Sequence, residues 1–355
     1  MTADAMAARP VPAPRSDARF LRAARGLSVD ATPVWFMRQA GRALPEYRRV
    51  RERATLLEIT RDAGLCAEVT LQPVRRLGVD VAILFADITT PLAGLGVAFD
   101  IREGVGPVIE HPVRTIDDVR ALRPFEPEAA VPALLEAISI IRRESPVPLI
   151  GFAGAPFTLA CYLVEGGPSR DFGRTKRLMH EDPAIWAALL DRLTEATIGY
   201  LRAQVAAGAE AVQVFDSWVG GLSPLDYERR LLPWMRRLFA GIADLGVPTT
   251  HFGVGTAGIL GLQAYAGGDV IGLDWRIALA DGRRIVGDRA VQGNLDPTLL
   301  LGPWEAVEEA ARWVLDQNDR RPGHVFNLGH GVLPGTDPDD LARLVDLVHN
   351  HGASR

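Results

Sequence analysis

Lysine is nearly absent from this chain. Of its 39 basic side chains only Lys176 is a lysine, and the rest are arginine. A mechanism that runs through a lysine Schiff base therefore has a single possible carrier. Cysteine is scarce as well: Cys66 and Cys161 stand far apart. Two such cysteines make neither a disulfide framework nor a zinc-ligand spacing, and a reducing, cytoplasmic setting is expected. No apolar run reaches the ~18 residues that a membrane span needs. No Gly-x-Gly-x-x-Gly follows the first strand-like run, which weighs against a dinucleotide fold. A net charge of -5 leaves no basic footprint for nucleic acid or anionic lipid. His251 has no acid, Cys or His neighbour at metal spacing, so no metal site is expected. Any acidic ligand must be drawn in by local arginines.

What is present is the composition of a soluble globular protein, with 355 residues, 48% hydrophobic and 23% charged. The first 20 residues are rich in Ala, Pro and Arg, but Asp4 and Asp17 and the prolines point to a disordered tail rather than a presequence. From there short apolar runs alternate with helical patterns. The runs are 33–37, 80–86, 147–152, 210–215, 247–252, 269–273, 289–292 and 323–328. Helical spacing fills most of the gaps, as over Pro132–Glu144 and Pro183–Ala207. Near-continuous apolar strands alternating with helices imply a parallel sheet under a helical coat. Eight such units make a single-domain (β/α)8 TIM barrel the expected fold, over residues 21–350. A doubly wound open sheet is the competitor. The Gly/Pro-rich stretch 91–127 reads as an excursion, with a small hairpin around Val97 to Arg102.

In such a barrel the functional residues follow the strands, on the C-terminal face. The first run ends in Arg38-Gln39-Ala40-Gly41-Arg42, two guanidiniums with a glycine between them, a fork suited to carboxylates or phosphates. Asp87 closes the apolar run Ile83-Leu84-Phe85-Ala86. A carboxylate there must meet donors or positive charge, either a ligand's or a structural partner's. Residues 151–167 form a glycine-rich loop into a helix carrying Tyr162, whose phenol either hydrogen-bonds a ligand carboxylate or is simply buried. Asp216-Ser217-Trp218 follows the fourth run. No Gly-x-Ser-x-Gly surrounds Ser217, so it reads as a hydrogen-bonding serine and not a nucleophile, and Asp216 as a cap. Asp274 ends the sixth run and Gly293-Asn294 the seventh. His330 lies between Gly329 and Gly331, which would let the backbone approach a ligand closely.

Taken in order, Pro-Val-Trp-Phe-Met-Arg-Gln-Ala-Gly-Arg-x-Leu-Pro-Glu-Tyr, the Asp87 segment, Gly-Phe-x-Gly-x-Pro-x-Thr-Leu-x-x-Tyr, Phe-Asp-Ser-Trp and Asn-Leu-Gly-His-Gly resemble the uroporphyrinogen decarboxylase family, from about residue 20 to about 350. The resemblance implies a (β/α)8 barrel that pairs as a homodimer and uses neither cofactor nor metal. The implied reaction removes the four acetate carboxyls of uroporphyrinogen to give coproporphyrinogen in haem and chlorophyll synthesis. It places Arg38, Gln39, Ala40, Gly41 and Arg42 on a substrate-binding loop. Asp87 falls on the central catalytic aspartate, and Tyr162, Ser217 and His330 on substrate-binding positions. Arg38 could hold a substrate carboxylate, deliver a proton through it, or do neither. Ala43 departs from the aromatic usual at its position and is expected to loosen one wall of the loop. A corrinoid- or zinc-dependent methyltransferase of the same superfamily is the alternative, but neither cysteine has a histidine two residues before it. A non-catalytic tetrapyrrole carrier would need the arginines without Asp87.

Overall fold

The computed structural model of the chain describes residues 15–41, 43–102 and 104–351. Seven parallel strands follow one another around the sheet in chain order: β1 (Ala82–Ile83), β4 (Leu149–Gly154), β5 (Ala211–Asp216), β6 (Thr249–Gly253), β7 (Val270–Gly272), β8 (Ala290–Gln292) and β9 (His324–Val325). The remaining two, β2 (Phe99–Arg102) and β3 (Gly106–Ile109), form the antiparallel hairpin of the excursion, which runs further than the sequence suggested. Long helices such as Pro132–Glu144 and Pro183–Ala207 open on a proline in the first turn, where its missing N–H costs nothing. Helical spacing of apolar residues runs through 53–76, yet the helix there is divided, because Asp62 caps a new start at Ala63 by accepting from Leu65 N.

The first expected strand shrinks to a single parallel bridge, Val34 with Phe326. The reason is a shortage of free ladder groups. Pro33 has no N–H. The Val34 N–H goes to the Asp80 carboxylate at 2.7 Å, and the Met37 N–H goes to the Asn327 side chain at 3.2 Å. Main chain still joins this segment to both neighbours: Phe326 N donates to Pro33 O and Asp80 N to Val34 O. The sheet thus closes into a (β/α)8 barrel with its first strand held by side chains as much as by main chain.

Inside the barrel a polar brace spans strands that are not adjacent. Trp35 Nε1 donates to Gln292 Oε1, and Gln292 Nε2 to Gln213 Oε1, both at 3.0 Å and fully buried. Around it lies one dominant apolar core, from Phe20 to Val348.

At the N-terminal rim the chain is sealed early. Residues 1–14 of the expected tail lie outside the described residues. The boundary drawn at residue 20 falls inside structured chain, because Arg15 reaches Glu210 Oε2 at 3.1 Å and also the Val147 and Arg142 carbonyls. Arg19–Ala24 is already helical.

Candidate active site

The C-terminal ends of the strands carry the polar residues. Arg38 stands in the loop after Val34 with a positive φ of 63°. Side chains other than glycine rarely accept that conformation. Gly41 makes it possible, since a Cβ there would sit 2.5 Å from the Arg38 carbonyl oxygen. The Arg38 guanidinium has no hydrogen bond or ion pair among the described residues. Its stem packs on the other side of the mouth, where a Cβ on Gly331 would meet Arg38 Cδ at 2.5 Å.

Asp87 follows β1. One oxygen, Oδ1, accepts from Thr89 N at 2.8 Å and from Thr89 Oγ1 at 2.5 Å. These bonds make a tight local turn that fixes the carboxylate while leaving Oδ2 without a hydrogen-bond partner among the described residues. Tyr162 lies in the helix Pro156–Glu165 that follows β4. Burial pushes its phenol up to about 12, and the nearby Asp87 charge pushes the same way, while Arg38 opposes them. Arg38, Asp87 and Tyr162 therefore share one electrostatic neighbourhood, with the phenol kept as a proton-bearing donor.

His330 completes the group. Burial pulls its imidazole down to about 4, helped by the positive charges of Arg38 and Arg276. Its Nδ1 accepts from Gly331 N at 2.7 Å, so the neutral ring carries its proton on Nε2. The two flanking glycines serve a different purpose from the one expected. They admit protein, not ligand: Gly331 makes room for Arg38, and Gly329 for the backbone of Trp275, 2.4 Å from where a Cβ would be.

Some predicted residues lie elsewhere in role. Gln39 is only 1% exposed. Its Oε1 accepts from Phe36 N and its Nε2 donates to Val81 O, both at 3.1 Å. The amide therefore replaces missing strand ladder between the first segment and β1, and its side chain does not face the mouth. Ala40 is buried, and Ala43 belongs to the main core, so no open gap marks the departure at position 43. Arg42 lies outside the described residues. Ser217 is half-buried just after β5, and its hydroxyl makes no hydrogen bond among the described residues. Asp216 is no cap. It is fully buried, accepts from Thr158 Oγ1 at 2.9 Å, and is raised by burial to about 7. Thr158 in turn accepts from Trp218 N at 3.3 Å, which ties the Tyr162 helix to the Ser217 loop. That link joins residues sixty positions apart and leaves no local signal.

Sequence reasoning passed over Arg276. It follows Asp274, a strand-end acid it did mark, by two residues.

Both thiols are poor nucleophiles. Burial raises Cys66 to about 12 and Cys161 well above its usual range. Among the described residues no three His, Cys, Asp or Glu side chains gather as a metal-ligand set, and no helix is long and apolar enough to cross a membrane.

Fold and strand ends together define a parallel α/β barrel whose C-terminal loops bring the Arg38 guanidinium, the Tyr162 phenol and the Asp87 carboxylate into one electrostatic neighbourhood. Comparison with known proteins makes this specific. The family model described as uroporphyrinogen decarboxylase matches residues 15–351. Two proteins named uroporphyrinogen decarboxylase are close in sequence. The one from Thermus thermophilus is 56% identical over 94% of this chain and 98% of its own length. The one from Streptomyces coelicolor is 55% identical over 98% and 99%. The chain belongs to the uroporphyrinogen decarboxylase family. Among solved structures, a methyltransferase from Methanosarcina mazei superposes with a TM-score of 0.74 at 23% identity, covering 93% of this chain and 97% of the other. That likeness bears on the fold alone.

Proposed function

We propose that the chain decarboxylates the four acetate side chains of uroporphyrinogen III to give coproporphyrinogen III, in porphyrin biosynthesis. The observation that carries the reading is the grouping of Arg38, Asp87, Tyr162 and His330 at the strand ends of a barrel from this family.

The chemistry fits what these side chains can do. Loss of CO2 leaves an electron pair that needs an acceptor. A pyrrole protonated at carbon is a cation and accepts it, so the substrate supplies its own sink. The exocyclic methylene left behind then takes a proton and becomes a methyl group, and the ring carbon releases the proton it took first, which restores the neutral pyrrole. Asp87, held by Thr89 with one oxygen open, lies ready to face the pyrrole N–H groups and stabilise the cation. A preorganised charge of this kind supplies several kcal/mol, on the order of what a single oxyanion-hole donor does in other enzymes. Arg38 receives a substrate carboxylate through an unpaired, planar guanidinium. Tyr162 donates from a phenol that stays protonated. His330 is neutral at pH 7 and offers Nε2–H. Ser217 has a hydroxyl free for the same use. Gln39 acts indirectly, by fixing the loop. The proton donor is not assigned to any of them.

Family membership further supports a homodimer and a cytoplasmic location. Light scattering of the purified chain reads the first.

The test is incubation of purified protein with uroporphyrinogen III under reducing conditions, with chromatographic detection of coproporphyrinogen. Stepwise loss of four carboxyls is expected. Binding without turnover would overturn the reading in favour of a carrier. Inactivity towards uroporphyrinogen with methyl transfer restored by added zinc would favour the methyltransferase.

A further inference from the structure

We propose that Arg276 is a further substrate-binding residue, whose guanidinium receives a carboxylate of the macrocycle on the flank of His330 held by Gly329, as Arg38 does on the flank held by Gly331. The proposal rests on the reading above for the identity of the substrate, and on geometry for the site.

Three contacts of its own and two that clamp its loop fix this arginine. Its Nη1 donates to Asp274 Oδ2 at 2.8 Å, and its backbone N to Asp274 Oδ1 at 3.0 Å. The carboxylate that holds it is 1% exposed, so the anchor does not move with solvent. The guanidinium lies 3.9 Å over the centre of the Trp275 ring. Finally, Asn294 at the end of β8 donates to the Asp274 and Ile277 carbonyls at 2.8 and 2.6 Å, which clamps the loop on both sides of Arg276.

The anchored group is still available. The Arg276 side chain is 50% exposed. Asp274 engages one terminal nitrogen, which leaves Nη2 and Nε for a second partner; a guanidinium has five N–H donors in a rigid fork. A flexible surface arginine must lose rotamer freedom when it binds. Here stacking and the buried pair have already removed that freedom.

The position is also right. The Trp275 backbone is pressed against Gly329, the Trp275 ring meets the His330 ring edge-on at 6.4 Å, and the charge of Arg276 is felt at the His330 imidazole together with that of Arg38. Two planar cations on either side of one neutral donor suit a ring that carries two adjacent carboxylate arms. A salt bridge that existed only to neutralise Asp274 would need neither the stacking nor the exposure.

The test measures equilibrium binding of uroporphyrin, the oxidised macrocycle with the same carboxylates, by fluorescence titration of parent, Arg276→Gln and Arg276→Lys. KM and kcat for uroporphyrinogen are measured beside it. Arg276→Gln is expected to bind about tenfold more weakly, from loss of one charge-assisted contact. KM should rise in step and kcat change less than about threefold. Arg276→Lys, with charge but no fork, should fall between. The dependence of KM on ionic strength should become shallower in Arg276→Gln. Parental affinity in a folded Arg276→Gln variant would overturn the proposal. Should the parent enzyme show no decarboxylation, the functional reading fails, while the uroporphyrin titration still decides whether Arg276 binds a polycarboxylate.

Discussion

The two rims of the barrel carry the same kinds of residue and treat them differently. At the N-terminal rim the charges are satisfied by the protein itself. Glu210 is held between Arg15 and Arg142, at 3.1 and 3.3 Å. Asp80 meets Arg19 at 2.9 Å, His349 at 2.8 Å and the Val34 N–H at 2.7 Å. At the C-terminal rim Arg38 has no partner among the described residues, Asp87 shares one oxygen with Thr89, and Arg276 spends part of its fork. Charge satisfied within the fold stabilises it; charge fixed in place but left open is available to something else. The contrast separates residues whose charge is spent inside the barrel from residues whose charge is left open at its C-terminal rim.

That contrast makes predictions. The largest effect is expected below. Glu210→Ala breaks the buried Arg142–Glu210 pair, in which Arg142 is 2% exposed, and should cost about 3–5 kcal/mol in a denaturant titration while leaving kcat unchanged at temperatures where the variant is folded. A parental midpoint would mean that the ion pairs of the N-terminal rim do not stabilise the barrel. Next, Asp87→Asn should lower kcat at least about a hundredfold, near 2.7 kcal/mol, with KM and thermal midpoint close to parental. An effect within tenfold removes the cation-stabilising role. Arg38→Ala should raise KM about tenfold or more through loss of a charge-assisted carboxylate contact. Unchanged KM and kcat would take it out of the site.

The smallest effect concerns pH. Burial lowers His251, His324 and His330 to about 4. The unfolded chain therefore binds more protons than the fold between about 4 and 6.5, and stability falls as pH drops through that window. Asp216 acts in reverse. Its carboxyl is raised to about 7, so its contribution is full below about 4 and is lost as pH rises towards 7. The thermal midpoint of Asp216→Asn should climb more steeply from pH 4 to 6.5 than that of the parent. Parallel curves would count against the buried acid.

Much of the fold was legible in the sequence because its signals are local. The bounds of Pro132–Glu144 and Pro183–Ala207 follow from a proline at one end and a helix-ending residue at the other. Apolar runs marked the strands to within a few residues, and the polar residue after each run marked the mouth. What was not legible depends on closure of the ring. Gln39 reads as a ligand contact until Val81 is brought beside it. Gly329 and Gly331 read as openings until Trp275 and Arg38 fill them. Arg276 gains its meaning only from a tryptophan, a buried acid and a histidine drawn from two strand ends.

The left-handed backbone at Arg38 has a consequence for the protein's history under selection. A side chain in that region costs on the order of 1 kcal/mol relative to glycine. Arg38→Gly would relax the turn and discard the guanidinium in one step. A library screened for heat tolerance alone would drift towards that exchange, whereas one screened for growth that depends on the enzyme's own product would resist it. The residue at this corner thus reports which pressure a population has been living under.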